Sequence, residues 1–310
     1  MAEKTDILVQ NDKVNRQEEN MRKKQSWIRA LITLIIVLAA ATGLLGKEDV
    51  TTVNEGAAEQ GFAVHFLDVG QADAALVQCE NRWMLIDGGN GEDSNLIAAY
   101  LKKQGISYLD YIVCSHAHED HVGGLSGALS VAEVGEVYAP ETGADTSAYK
   151  NFKAKVKEQG LTIQHPVPGD SIRLGQATIL FLGPVEEDKD DINNTSIMLK
   201  ITYGQTAFLF TGDGEREEEL SVLDTGLDVS ATVLKVGHHG SSTSTSYPFL
   251  RAVNPEYAVI SVGKGNDYGH PHQETISRLS DADTKLYRTD ELGDIIMTSD
   301  GYEISVRNAR

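Results

Sequence analysis

Residues 108–125 read YLDYIVCSHAHEDHVGGL. The first half is apolar enough for a core strand. It gives way at once to three histidines, a glutamate and an aspartate, and then to two glycines. A strand buried in a core cannot carry that many ionisable groups along its length, because each unpaired charge there is costly. The groups must therefore gather where the strand ends and the chain turns. The same grammar recurs in WMLIDGG (83–89), FLFTGD (208–213) and VLKVGHHG (233–240). Each is an apolar run closed by an aspartate or histidines beside glycine, the residue that lets backbone turn sharply at a strand end.

The segments between these runs fill out a pattern. From Phe62 on, short strand-like stretches (FAVHFLDVG, AALVQC, RWMLIDGG, YLDYIVC, LTIQHPV, ATILFLG) alternate with helical spacing in SNLIAAYLKKQG, LSGALSVA and SAYKNFKAKVKEQG. SIMLKITYGQTAFLFTGD reads as a hairpin turning at YGQT. REEELSVL, YPFLRAV and HQETISRLSDA read as helices, and TKLYRT, GDIIMTS and YEISV as closing strands. Each half passes from hairpins to strand–helix units. Two sheets with helices outside them fit, an α/β fold of αββα sandwich type over residues 62–310.

The first 61 residues differ. Residues 1–26 are polar, mixed in charge and without periodicity, and are expected to be a disordered cytoplasmic segment. Residues 27–46, WIRALITLIIVLAAATGLLG, carry no charge from Ala30 onward, and Arg22, Lys23, Lys24 and Arg29 flank the N-terminal side. That predicts one transmembrane signal anchor, with the N-terminus inside and the larger domain outside the cell membrane. A signal peptide cut near LAAA, giving a secreted protein, is the alternative. Residues 47–61 read as a linker. Beyond residue 46, 20 basic and 41 acidic residues leave a charge of −21, which disfavours tight non-specific binding to nucleic acid. Cys79 and Cys114 form no CxxC pair and each lies in a strand-like run, so two buried free thiols are expected.

Within SHAHEDH, a turn after the strand lets His116, His118, Asp120 and His121 face a common centre. Imidazole nitrogen and carboxylate oxygen suit zinc, manganese or iron. Two ions need more donors than one loop offers, and the other strand ends supply Asp213, His238 and His239. His65 and His165 sit inside strand-like runs and read as satisfied core residues. His270 and His272, in YGHPH, either face the site or cap and pack a helix.

The pattern HxHxDH resembles the signature of the metallo-β-lactamase superfamily. More closely, HFLDVGQADAALV, LIDGG, SHAHEDHVGGL, NNTSIMLKI, FLFTGD, LKVGHHGSSTS and YGHPH resemble, in order, the motifs of the C-terminal domain of ComEC-type competence DNA-uptake proteins. The resemblance covers residues 62–309. It implies a two-metal hydrolase holding Zn²⁺ or Mn²⁺. His116 and His118 would bind one ion, Asp120 and His121 the other, and Asp213 would bridge. His238 is favoured over His239 to complete the second site. Asp87 would orient a ligand histidine, and Asp68 and Asp73 would support the site. Many members of the superfamily have a further histidine on the first metal. The ComEC-like group has N–x–S there, matching Asn194 and Ser196, so one metal site is expected to be the weaker. Ala72 stands where that group has glycine.

Water between two cations readily loses a proton. It would attack phosphorus or a carbonyl, oriented by Asp120, with His270 protonating the leaving group and His272 assisting. Ser241, Ser242, Thr243 and Ser244 either contact phosphate or form a solvated link. The expected activity is a phosphodiesterase or nuclease acting on a phosphodiester such as DNA. A lactamase, thioesterase or lactonase of the same fold is the alternative, and a metal-holding binding domain a third. No protein partner is identifiable.

Overall fold

A computed structural model describes residues 61–186 and 190–308. Alternation of side chains along the strands sets the layers. In β1 (Phe62–Phe66), Phe62, Val64 and Phe66 share one face and join a central core. His65 faces the other way, where its Nδ1 lies 2.7 Å from the Tyr100 hydroxyl. Burial, helped by Arg307, pushes that ring down to about 4, so it is the neutral core residue expected.

One sheet runs, in spatial order, β15 (Ile304–Asn308), β14 (Ile295–Ser299), β1, β2 (Ala75–Cys79), β3 (Arg82–Ile86), β4 (Tyr108–Val113), β5 (Glu133–Tyr138) and β6 (Ile163–Gln164). The other runs β13 (Lys285–Arg288), β12 (Tyr257–Ile260), β11 (Val233–Lys235), β10 (Thr206–Phe210), β9 (Leu199–Tyr203), β8 (Ala177–Phe181) and β7 (Ser171–Leu174). β6 is shorter than LTIQHPV suggested, because Pro166 and Pro168 cannot donate to a ladder.

The inner faces meet through Phe62, Phe66, Phe181 and Phe208, all fully buried. Each such side chain stabilises by roughly 1.5–3 kcal/mol relative to exposure. The first sheet's outer face is covered by α1 (Ser94–Lys103), α2 (Glu119–Val122), α3 (Leu125–Val131) and α4 (Ser147–Glu158). The second is covered by α5 (Arg216–Asp224), α6 (Tyr247–Val253) and α7 (Gln273–Asp281). The layering is therefore helix, sheet, sheet, helix. Cys79 and Cys114 are buried and free.

Strands β3 and β4 are parallel, as are β10, β11 and β12. The chain therefore leaves each of these groups at one end, and that is where the aspartates and histidines fall. The glycines that follow let backbones touch. A methyl group on Gly124 would land on the Gly88 carbonyl oxygen, and one on Gly123 on the Gly91 nitrogen. Only glycine permits this approach, which docks the turn after β4 against the turn after β3. Gly88 N donates to His121 O at 2.7 Å and Gly124 N to Gly89 O at 3.1 Å.

One expectation is corrected here. Among the described residues no helix is long and apolar enough to cross a membrane. A span needs about 20 residues, whereas α4 has 12, or about 18 Å of helix. This stands against the single-pass membrane placement, which is withdrawn. The expected disordered segment, the apolar run 27–46 and residues 47–60 lie outside the described residues.

Candidate metal centre

Past β4 the chain runs through Cys114 to Ser115 and His116. Asp87, just past β3, accepts from Ser115 N and Ser115 Oγ, each at 2.7 Å, and lies 2.9 Å from His121 Nδ1. That contact places the His121 proton on Nδ1 and leaves Nε2 facing inward. Asp87 thus sits where it orients a candidate ligand.

Donor atoms of Asp120, His121, Asp213 and His239 all lie within 4.8 Å of one another. His121 Nε2 is 3.3 Å from Asp213 Oδ1, and His239 Nε2 is 3.3 Å from Asp120 Oδ2. These approaches lack hydrogen-bond geometry. His121 Nε2, Asp213 Oδ1 and His239 Nε2 are buried with no hydrogen-bond partner among the described residues. Buried polar atoms are rarely left so. Nitrogen and carboxylate donors aimed at one point are what a divalent cation satisfies, so the residues present fit a metal.

The donor set includes His239 and not His238. His238 and His239 both adopt left-handed backbone, with φ of 50° and 52°. The resulting turn folds His239 inward, 2% exposed, while His238 projects along the wall, its Nδ1 3.3 Å from Glu215 Oε1. His238 Nε2 stands 3.7 Å from Asp213 Oδ2. Leaving the strand first does not make a residue point inward; the backbone turn decides that.

His116 and His118 form a separate pair, His116 Nε2 lying 3.0 Å from His118 Nδ1. Two nitrogens on one tetrahedral zinc would stand about 3.3 Å apart, so the pair is close to a chelating spacing. The His121 ring lies 4.1 Å from that of His116, but no third histidine, cysteine or carboxylate donor groups with the pair among the described residues. Ser196 Oγ instead accepts from Asp213 N at 3.0 Å, and Asn194 Oδ1 accepts from Glu215 N at 2.9 Å. The N–x–S segment thus pins the backbone of the Asp213 turn.

The electrostatics follow from burial and charge. Burial disfavours a charged His239 ring, but Asp213 and Asp73 outweigh it and push the ring up to about 10. His121 is likewise raised, by Asp213, Asp87 and Asp120 against burial. Burial opposes ionisation of Asp120, yet His121 and His239 hold it down at about 2. The carboxylates thus demand positive charge, whether from protons or from a cation.

Above the donors lies a cleft of about 280 Å³ whose lining includes His118, Asp120, Asn193, His238, Tyr268 and His270. Burial, with the neighbouring rings of His238, His272 and His239, pushes His270 down to about 4. Its ring is therefore neutral at pH 7, a hydrogen-bonding group rather than a ready proton source before substrate arrives. Gln71 Nε2 lies 3.4 Å from His270 Nδ1, which leaves Nε2–H as the ring's donor. His272 does not line the cleft. Its Nδ1 accepts from Ser242 N at 3.0 Å, tying the serine-rich loop, and although it precedes α7 its side chain makes no capping hydrogen bond. Ser241 is buried and serves its own loop, with Oγ 3.0 Å from Thr243 Oγ1. Asp68 donates its backbone N–H to Asp294 at 2.8 Å and is outside both clusters of candidate donors. His165 lies 2.8 Å from the Ala139 carbonyl, away from the centre.

Sequence reasoning missed Lys235. Its Nζ lies 2.7 Å from Asp73 Oδ2, with both side chains under a tenth exposed. Asp73 Oδ1 in turn is 3.3 Å from His239 Nδ1, which also lies 3.1 Å from the Ser261 carbonyl. Lys235, Asp73 and His239 form a chain from core to centre. The signal was available: Lys235 shares a strand face with buried Val233, so alternation alone marks it as inward. Also missed were Glu219 and Arg278, which clamp the serine-rich loop. Glu219 accepts from Thr245 N and Ser246 N, and Arg278 donates to the Ser242 and Ser244 carbonyls.

Over residues 67–264 the chain matches the Metallo-beta-lactamase superfamily. It belongs to that superfamily, and the layers and strand-end site described above are its fold. Among curated proteins it is similar to competence proteins. It is 30% identical to ComE operon protein 3 of Bacillus subtilis over 75% of this chain and 32% of that protein. It is 33% identical to competence protein ComA of Neisseria gonorrhoeae over 77% of this chain and 32% of that one. Recombination protein 2 of Haemophilus influenzae is 31% identical over 70% of this chain and 26% of its own length. The chain thus spans about a third or less of these relatives. Among solved structures, YhfI from Bacillus subtilis aligns with a TM-score of 0.50 at 15% identity, covering 79% of this chain and 100% of that one. CmlA, a diiron β-hydroxylase from Streptomyces venezuelae, aligns at 0.51 and 14%, covering 74% and 53%. At such identity these two show the shared fold alone.

Proposed function

We propose that residues 62–310 are a divalent-metal-dependent phosphodiesterase, with nucleic acid the foremost substrate class. One observation carries the reading: converging nitrogen and oxygen donors at the floor of an open cleft whose walls bear two further imidazoles, His238 and His270. Similarity to proteins named for competence and recombination supports nucleic acid over other esters.

In this reading Asp120, His121, Asp213 and His239 would hold one ion, and His116 and His118 would help to hold a weaker second. Zn²⁺ and Mn²⁺ match the donor set. Bound divalent ions supply a Lewis acid and a nucleophile at neutral pH. Asp87 and Asp73 keep His121 and His239 aimed inward, the kind of support that fixes ligand tautomers. Asp120, more exposed than Asp213, accepts a hydrogen bond from the attacking water and orients it. His270, a neutral ring, donates a hydrogen bond from Nε2–H to the leaving oxygen, which takes its proton from solvent in the open cleft. Among the described residues no lysine or arginine lines the cleft, so the imidazoles, with the bound ions, would hold the anionic substrate.

The test is the full chain loaded with Zn²⁺ or Mn²⁺, assayed on bis(p-nitrophenyl) phosphate and on single- and double-stranded DNA beside Asp120→Ala. Turnover falling at least about 100-fold in the variant is expected. Metal bound with no phosphodiester cleaved would refute the reading and favour another hydrolase of the fold.

A further inference from the structure

The loop between β12 and α7 carries GKGNDYGHPH, residues 263–272. Tyr268, on its crest, is 70% exposed and lines the cleft. A lone exposed tyrosine needs no explanation, but this one is held in place. The Asn266 side chain accepts from Tyr268 N at 3.1 Å and His270 N at 3.0 Å. It also donates to the Gly263 carbonyl at 2.9 Å and the His270 carbonyl at 2.6 Å. One amide thus fixes both ends of the crest. Gly263 packs against the backbone of Gln71, where a methyl group would collide.

The ring so held continues a row. Tyr268 and His270 lie 5.6 Å apart at 24°, and His270 and His239 lie 6.5 Å apart at 24°. The row runs from solvent to the metal donors. Asn193 lines the same cleft, and its Oδ1 is buried with no hydrogen-bond partner among the described residues. Among the described residues the cleft therefore offers a planar apolar face and an unmet amide, but no lysine or arginine. Those suit a flat heteroaromatic ring with polar edges more than a second phosphate.

We propose that Tyr268 is a platform on which a nucleobase of the substrate stacks, so that the site takes phosphodiesters bearing a base beside the cleaved bond. This rests on the phosphodiesterase reading above. Stacking on an aromatic side chain tolerates every base, because each has a π-face. It therefore gives preference for unpaired nucleic acid over other phosphodiesters without reading sequence.

The experiment compares the metal-loaded full chain with Tyr268→Ala and Tyr268→Phe on two single-stranded oligonucleotides. One is intact; the other is abasic on both sides of a single phosphodiester. The readout is the ratio of kcat/KM between them. Tyr268→Ala should lower that ratio about five-fold or more, mostly through KM, and Tyr268→Phe should restore it. A ratio unchanged within two-fold would overturn the proposal. So would Tyr268→Phe falling as far as Tyr268→Ala, which would assign the hydroxyl instead. Wild type cleaving both substrates equally would sink the platform and spare the phosphodiesterase. Wild type cleaving neither would remove both.

Discussion

Lys235→Met tests the chain of contacts behind His239. Methionine keeps the length and removes the charge. Lys235 Nζ stands 2.7 Å from Asp73 Oδ2 and also donates to the Val236 carbonyl at 3.0 Å. At that ion-pair separation the gross attraction is about 6 kcal/mol for an effective dielectric of about 20. Burial raises the Asp73 carboxyl, but Lys235 and His239 beside it hold it well below the usual range. Without the cation a buried carboxylate loses its main partner, and breaking such a pair costs about 3–5 kcal/mol. For a domain of this size that lowers Tm by on the order of 10 °C. The assay is guanidinium unfolding of the metal-free full chain in a double-mutant cycle with Asp73→Asn. Asp73→Asn alone strands the lysine and should cost a similar amount. Removing both charges should recover at least about 2 kcal/mol of the summed loss. A loss below about 1 kcal/mol in Lys235→Met, or strict additivity in the cycle, would show that the pair does not organise this edge of the core.

Four further outcomes are expected. His239→Asn should weaken Zn²⁺ binding by on the order of 100-fold or more and His238→Asn by under about 10-fold, read by competition with a chelator; equal effects would reverse the assignment. Because His239 is raised to about 10 and His121 is raised too, both rings carry protons at pH 7, and Zn²⁺ must displace them. Affinity should thus rise with pH, and calorimetry in buffers of different ionisation enthalpy should detect proton release; none released would contradict the site. Glu218, buried in α5, is pushed up to about 7 by burial and by Glu186, against a bond from Val185 N. The folded state then binds the extra proton, so stability falls as pH rises from about 4.5 to 7, by at most about 3 kcal/mol. Glu218→Gln should be more stable than wild type at pH 8, with the gain gone by pH 5; a gain independent of pH would exclude this cause. Gly124→Ala, which would drive a methyl into the Gly88 carbonyl, should cost more than about 3 kcal/mol in chemical unfolding.

Much of the molecule was legible in the chain itself. Alternation in FAVHF and ALVQC, the apolar run YLDYIVC and the hairpin at YGQT each report a local period or turn, and local rules decide them. The grouping of Asp87, Asp120, His121 and Asp213 was readable for the same reason. Each follows an apolar strand within a few residues of glycine, so the chain must turn there. The motif order also identified the superfamily.

Tertiary structure decided the rest, wherever a side chain's meaning depends on distant partners or on a few backbone angles. The choice between His238 and His239 turns on two left-handed residues that spacing does not encode. Lys235 becomes a buried cation only because Asp73, in the loop between β1 and β2 of the other sheet, reaches it. His270 and His272 are two residues apart, yet one lines the cleft and the other binds Ser242, as the loop around Asn266 dictates. Ser196 is a backbone anchor rather than a substrate contact because the Asp213 turn folds onto it. Sequence periodicity fixes which face a residue takes; only the packed sheets bring those faces to a common point, where desolvation and charge give the site its chemistry.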